Sequence, residues 1–223
     1  MDVGPPLLLA LWVTGLAFGA AVVAWWRVVG PGYAWLAAAV IALFGLPAAA
    51  AGVGGAAWVA IGLSVLAGGA ARSPRIASGL LAAAGFVFAA GAAARSPVLP
   101  VATGALFLGG ITSEMMLGHW FLIDPRLPRW SLRALTAAGG VGLVLDVAYL
   151  ATEGAFGWQA SDAVMGWAFV VLAATSAVLV VGVWLALREK RYTGVMAATG
   201  LSYLATLTAF GAVVLGRLVA FPP

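Results

Sequence analysis

The sequence predicts an all-α, polytopic membrane protein: a bundle of eight transmembrane helices with both termini outside. Three observations carry this expectation. Hydrophobic residues make up 64% of the 223 and charged residues only 8%, against about 25% charged in a soluble domain whose surface must be wetted. Charges, prolines and glycine pairs divide the chain into apolar pieces close to the roughly 20 residues a spanning helix needs. Arginine and lysine collect in alternate gaps between those pieces.

The first piece, 5–26, is much longer than the roughly 7–15-residue core of a signal peptide and lacks a basic start. It reads as a retained span ending in the aromatic and basic anchor Trp25, Trp26, Arg27. Helix 2 covers 33–51 with Pro47 as a kink. Gly52, Gly54 and Gly55 form a tight turn into a short helix 3, 56–71. Ser73-Pro74 and Ser96-Pro97 each read as an N-cap followed by a first-turn proline, opening helix 4 (74–94) and helix 5 (97–123). Helix 6 spans 131–152 with Ser131 as its cap. Ser161 and Asp162 cap helix 7, which runs to 187, and helix 8 covers 192–219.

This division places Arg27, Arg72, Arg75, Arg126, Arg129, Arg133, Arg188, Lys190 and Arg191 on one side, and only Arg95 and Arg217 on the other. The positive-inside rule then puts the N-terminus outside a multi-pass inner (cytoplasmic) membrane protein. Arginines confined to short loops do not make the wetted basic face of a nucleic-acid binder. The absence of cysteine excludes disulfides, thiolate metal sites and cysteine nucleophiles. No phosphate-binding loop, nucleophile elbow, zinc-protease or dinucleotide fingerprint occurs.

Chemistry-bearing residues concentrate between Ile111 and Arg133, with Asp146 beyond. Ionisable groups inside a membrane cost at least about 2.5–3.5 kcal/mol and face a partner or cavity, so Glu114, His119 and Asp146 are candidates for a proton relay or ligand site. Glu114 lies about 14 Å from the inner end of helix 5 and Asp146 about 22 Å from that of helix 6, which argues against a direct carboxylate pair. Gly139, Gly142, Asp146, Tyr149 and Glu153 share a stripe, making Tyr149 the expected local partner of Asp146. Thr199, Ser202 and Thr206 form a hydroxyl stripe on helix 8, expected to bond back to their own helix.

His119 and Trp120, with Arg126 and Arg133 beyond, suit a quinone or lipid head group: a hydrogen-bond donor, an aromatic wall and positive charge. Asp124, Arg126 and Arg129, stiffened by Pro125 and Pro128, form a candidate loop for docking an anion or a partner. Met115, Met116 and His119 give a weak copper candidate. A single histidine excludes a bis-histidine haem within the chain.

The leading expectation is an integral subunit of a membrane redox or energy-coupling assembly. It would carry a quinone or head-group site near His119 and intramembrane acids for proton movement, with the bilayer and other membrane subunits or further copies as partners. The alternatives are a small proton-coupled transporter or channel using Glu114 and Asp146, and a membrane enzyme acting on a lipid-like substrate. The orientation predicts that single cysteines at Gly54 and Gly157 label from outside in intact cells and one at Arg129 does not. Labelling at Arg129 without labelling at Gly157 reverses the topology.

Overall fold

A computed structural model describes residues 3–160 and 162–222. Among these the chain is helical and without strands: α1 (Pro5–Trp26), α2 (Pro31–Ala48), α3 (Gly55–Gly69), α4 (Pro74–Ala93), α5 (Val98–Ile123), α6 (Arg129–Thr152), α7 (Ala163–Ala186) and α8 (Tyr192–Ala220). Every one except α3 belongs to a stretch long and apolar enough to cross a membrane. The 15 residues of α3 reach about 22 Å at 1.5 Å per residue, short of the roughly 30 Å hydrocarbon core. Large apolar side chains stand on the outside, including Trp35, Leu43, Phe86, Val178 and Leu207. Buried positions hold Ser64, Glu114, Asp146, Ser202 and Arg217. A surface of this kind suits lipid rather than water.

The helices form two compact units, with the division falling within α5 after Ala105. In the first, Gly4–Ala105, α1 packs on α2 and α4, and α3 packs on α2 and α4. Pro47 lies inside α2, where it removes a backbone donor, and the helix ends in a π turn over Ala49–Val53. Gly52 and Gly54 take φ of 104° and 85°, a conformation that glycine adopts without steric cost. Arg95 reaches back from beyond α4 to bond the carbonyls of Gly52 and Gly91, closing this turn. Ser78 of α4 donates to Ala21 O of α1 at 2.8 Å. The start of α4 therefore lies beside the end of α1, so α2 and α3 together return the chain to the face it left.

In the second unit, containing Leu106–Pro223, α7 packs along α8, and α6 contacts both. The later part of α5 meets α6 backbone to backbone: a Cβ on Gly142 would run into Phe107, and one on Gly110 into Gly139. Such small-residue contacts bring helices together where lipid supplies no hydrophobic drive.

Several expected helix starts differ. Helix 6 begins two residues earlier than 131, with Pro128 at the cap position. Ser131 lies in the first turn and donates to Pro128 O at 2.6 Å. Pro74 does open α4, but Ser73 makes no capping bond, and α5 starts at Val98, one residue past Pro97. Proline's fixed φ, rather than a serine cap, sets these starts. Asp162 caps α7 as expected, accepting from the Val164 and Met165 amides; Ser161 lies outside the described residues. Gly157 and Gly54 have φ of 42° and 85°, which strain a cysteine, so exposed Gln159 and exposed Gly55 in the same turns are the better labelling positions.

Candidate functional site

The two buried acids of the second unit, Glu114 and Asp146, both meet the buried face of α8. Its small and hydroxyl-bearing positions Ala198, Thr199, Ser202, Ala205, Thr206, Ala209 and Gly216 are buried, so neighbouring helices approach closely enough for short polar side chains to meet.

Near the far end of α8, Arg217 is fully buried. Its Nη2 lies 2.8 Å from Asp146 Oδ1 and its Nη1 lies 3.0 Å from Oδ2, a two-pronged bond between α8 and α6. Nη1 also lies 3.3 Å from Val213 O in the preceding turn. The planar guanidinium matches a carboxylate edge to edge, which gives the strongest form of this contact. Gly216 makes room beside it, since a Cβ there would strike Leu150 of α6 and Phe169 of α7.

Two sequence assignments are corrected here. Arg217 is not a cation of the outer surface; it lies inside α8, in the protein interior. The ion-pair partner of Asp146 is Arg217, 71 residues away, rather than Tyr149, which is only partly buried. Local spacing favoured Tyr149, but a buried carboxylate gains more from a cation than from a phenol.

The second buried acid has a different partner. Glu114 of α5 is hydrogen-bonded to Ser202 of α8, and its Oε1 is buried without a hydrogen-bond partner. Ser202 Oγ also lies 2.8 Å from Ala198 O. A serine hydroxyl carries one proton, so it cannot donate to both oxygens at once. When Ser202 donates to Ala198, a proton on the Glu114 carboxyl must make the α5–α8 bond. When Ser202 donates to Glu114, the carboxyl is the acceptor. The first arrangement needs a protonated carboxyl, and the second is open to a protonated or an ionised one. Back-bonding was expected along this stripe, and Thr199 does bond Val195 O at 2.9 Å. Ser202 adds the link to α5, as does Thr206, whose hydroxyl lies 3.7 Å from Met115 Sδ.

Glu114 and Asp146 therefore meet different positions on α8. Ser202 and Arg217 are separated by about 22 Å along the helix axis, with the Thr206–Met115 contact lying between them in sequence.

His119 is exposed, with its Nδ1 3.4 Å from the Tyr203 hydroxyl of α8. Trp120 is half-buried, and Phe121 is buried against Tyr192, with ring centroids 6.3 Å apart. Met116 is buried while Met115 is partly exposed. Asp124 and Arg126 are exposed and form a local turn, Arg126 N to Asp124 Oδ1 at 3.2 Å. Arg133 is exposed too. Arg129 is engaged: it donates to the carbonyls of Glu189, Lys190 and Arg191 and lies over the Phe121 ring. It ties the start of α6 to the α7–α8 turn, a role the loop sequence did not reveal. Among the described residues no group of three or more His, Cys, Asp or Glu side chains is placed to hold a metal ion. No family model, curated protein or solved structure matches the chain.

Removing one member of the Asp146–Arg217 pair leaves a buried charge without its counterion, at a cost of about 3–5 kcal/mol. Arg217→Met and Asp146→Leu should each lower the unfolding temperature in detergent sharply. The double variant Asp146→Leu/Arg217→Met should recover most of the loss. A double variant as unstable as the worse single one would show that the pair is not the source of the effect.

Proposed function

We propose that this chain is a multi-pass protein of the cytoplasmic membrane that moves protons, or a solute linked to them, through its second unit. Glu114 is the exchanging group, and the Asp146–Arg217 pair closes the far end of the α8 seam. The observation that carries this reading is the Glu114–Ser202–Ala198 arrangement, a buried carboxyl whose hydroxyl partner has two acceptors to turn between. The return of the chain from the end of α1 to the start of α4 supports an eight-crossing topology. The arginine distribution supports an N-terminus outside.

The test is purified protein in liposomes with a trapped pH dye. Proton uptake, or uptake driven by an imposed pH gradient, is expected for the native chain and absent in Glu114→Gln. The glutamine keeps the shape but cannot exchange a proton. Native protein that is silent under every gradient tested sinks the transport reading.

A second reading, a subunit of a redox or energy-coupling assembly, draws on a separate observation. His119 and Tyr203 form an exposed polar pair from two helices beside Trp120. His119 lies about 6 Å from the end of α5, a depth a quinone or lipid head group reaches. On this reading a short-chain quinone added to the detergent-solubilised protein quenches tryptophan fluorescence, and His119→Ala weakens that quenching about tenfold, the loss of one well-placed hydrogen bond. Equal quenching in both proteins excludes His119 as the ligand.

A further inference from the structure

The second unit is built from two helix pairs. The later part of α5 meets α6 backbone to backbone at Gly110, Gly139 and Gly142. A short turn joins α7 to α8, and a Cβ on Gly194 would strike Ala186 O and Glu189, so the chain reverses there without slack. Ser176 of α7 donates to Thr208 of α8 at 2.9 Å. Each pair is thus held together by contacts of its own.

Polar side chains join one pair to the other at three levels of α8. At its start, Arg129 of α6 donates from Nη1 to Glu189 O, and from Nη2 to Lys190 O at 2.7 Å and Arg191 O at 2.9 Å. Its guanidinium lies 6.0 Å from the centre of the Phe121 ring, which packs in turn on Tyr192. In the middle, Glu114, Met115 and His119 meet Ser202, Thr206 and Tyr203. At the far end, Asp146 meets Arg217. An arginine therefore joins the pairs at each end, with Glu114 between.

The two arginines are not equivalent. Arg217 is fully buried and bonds a carboxylate through both terminal nitrogens. Pulling it from Asp146 leaves two charges unpaired in the interior. Arg129 is half-buried and bonds the neutral carbonyls of three exposed residues, bonds that water can replace at small net cost. The Arg129 end is the one that opens more easily. One turn from Glu114 and Ser202 toward that end, Gly118 and Thr199 close the seam: a Cβ on Gly118 would lie 2.6 Å from Thr199 Oγ1. Glu114, only 2% exposed behind them, needs a path to water to exchange a proton.

We infer that Arg129 is a releasable clasp. When it lets go, the α7–α8 pair swings from α5–α6 about the Asp146–Arg217 bond, and water reaches Glu114 from the Arg129 end. The inference rests on Glu114 as the exchanging group. Opening a seam at one end while the other stays shut is how rocking helix bundles give a central site alternating access.

The test uses the full chain in lipid nanodiscs, where a hydrophilic maleimide reaches both faces. The chain has no cysteine, so single cysteines report single positions. Thr199→Cys probes the seam beside the clasp. Ala209→Cys, also at a buried position, probes the Arg217 side of Ser202. Both should react slowly while Arg129 is in place. Arg129→Gln should speed labelling of Thr199→Cys at least about tenfold, a modest effect for three charge-assisted bonds, and leave Ala209→Cys unchanged. Arg133→Gln, an equal loss of charge at an exposed residue, should change neither rate. A Thr199→Cys rate that Arg129→Gln leaves unchanged overturns the inference. So does equal acceleration at both positions, which marks general loosening rather than an opening at one end. The labelling needs no transported substrate, so its failure and that of the liposome assay are separate results.

Discussion

A guanidinium with no exposed surface sets the terms for the second unit. Arg217 sits within an apolar helix, where an unpaired charge in hydrocarbon would cost at least about 2.5–3.5 kcal/mol. It is tolerable there because Asp146 presents both carboxylate oxygens to it. That geometry requires α6 and α8 to lie within the reach of two side chains, with no bulk between them. Gly216 supplies the space on α8, and Leu150 and Phe169 fill it. On the same stripe of α6 as Asp146, Gly139 and Gly142 bring the backbone of α5 into contact. With α5 held against α6, Glu114 and Met115 are placed where α8 presents Ser202 and Thr206. The polar contacts and the glycine contacts thus depend on each other. A larger residue at Gly142 would displace α5, and with it the Glu114–Ser202 bond.

The helices were legible in the sequence because lipid imposes a length and a composition on every span. Ends defined by proline or by charge fall within a few residues of expectation. The starts assigned to serine caps fall as close, but for another reason: Ser73 and Ser131 make no capping bond, and the neighbouring proline fixes the backbone there. Glu114 and Asp146 were legible as well, since an acid within an apolar run is conspicuous. Their partners were not. Arg217 lies six residues from the end of the chain, and a charge so placed reads as a loop charge until the fold buries it. Ser202 looked like one more hydroxyl bonding its own helix, which it also is. Helical periodicity identifies a face but not which of the other helices covers it, and both partnerships join residues more than 70 positions apart.

The two buried acids show how the partner decides what an intramembrane carboxylate can do. Asp146 faces a cation. Taking up a proton there would remove the charge that offsets Arg217 and leave the guanidinium unmatched, so proton exchange at Asp146 is tied to breaking the α6–α8 contact. Glu114 faces a neutral hydroxyl that has an alternative acceptor in Ala198. A protonated Glu114 can keep the α5–α8 bond with the Ser202 hydroxyl turned toward either acceptor, whereas an ionised one needs that hydroxyl and leaves its buried Oε1 without a donor. An ion pair therefore holds its helices through opposite charges, whereas an acid–hydroxyl pair can join its helices with the acid neutral. The same chemical group, placed twice on neighbouring helices, meets a cation in one position and a neutral hydroxyl in the other. What separates them is the residue each one meets on α8.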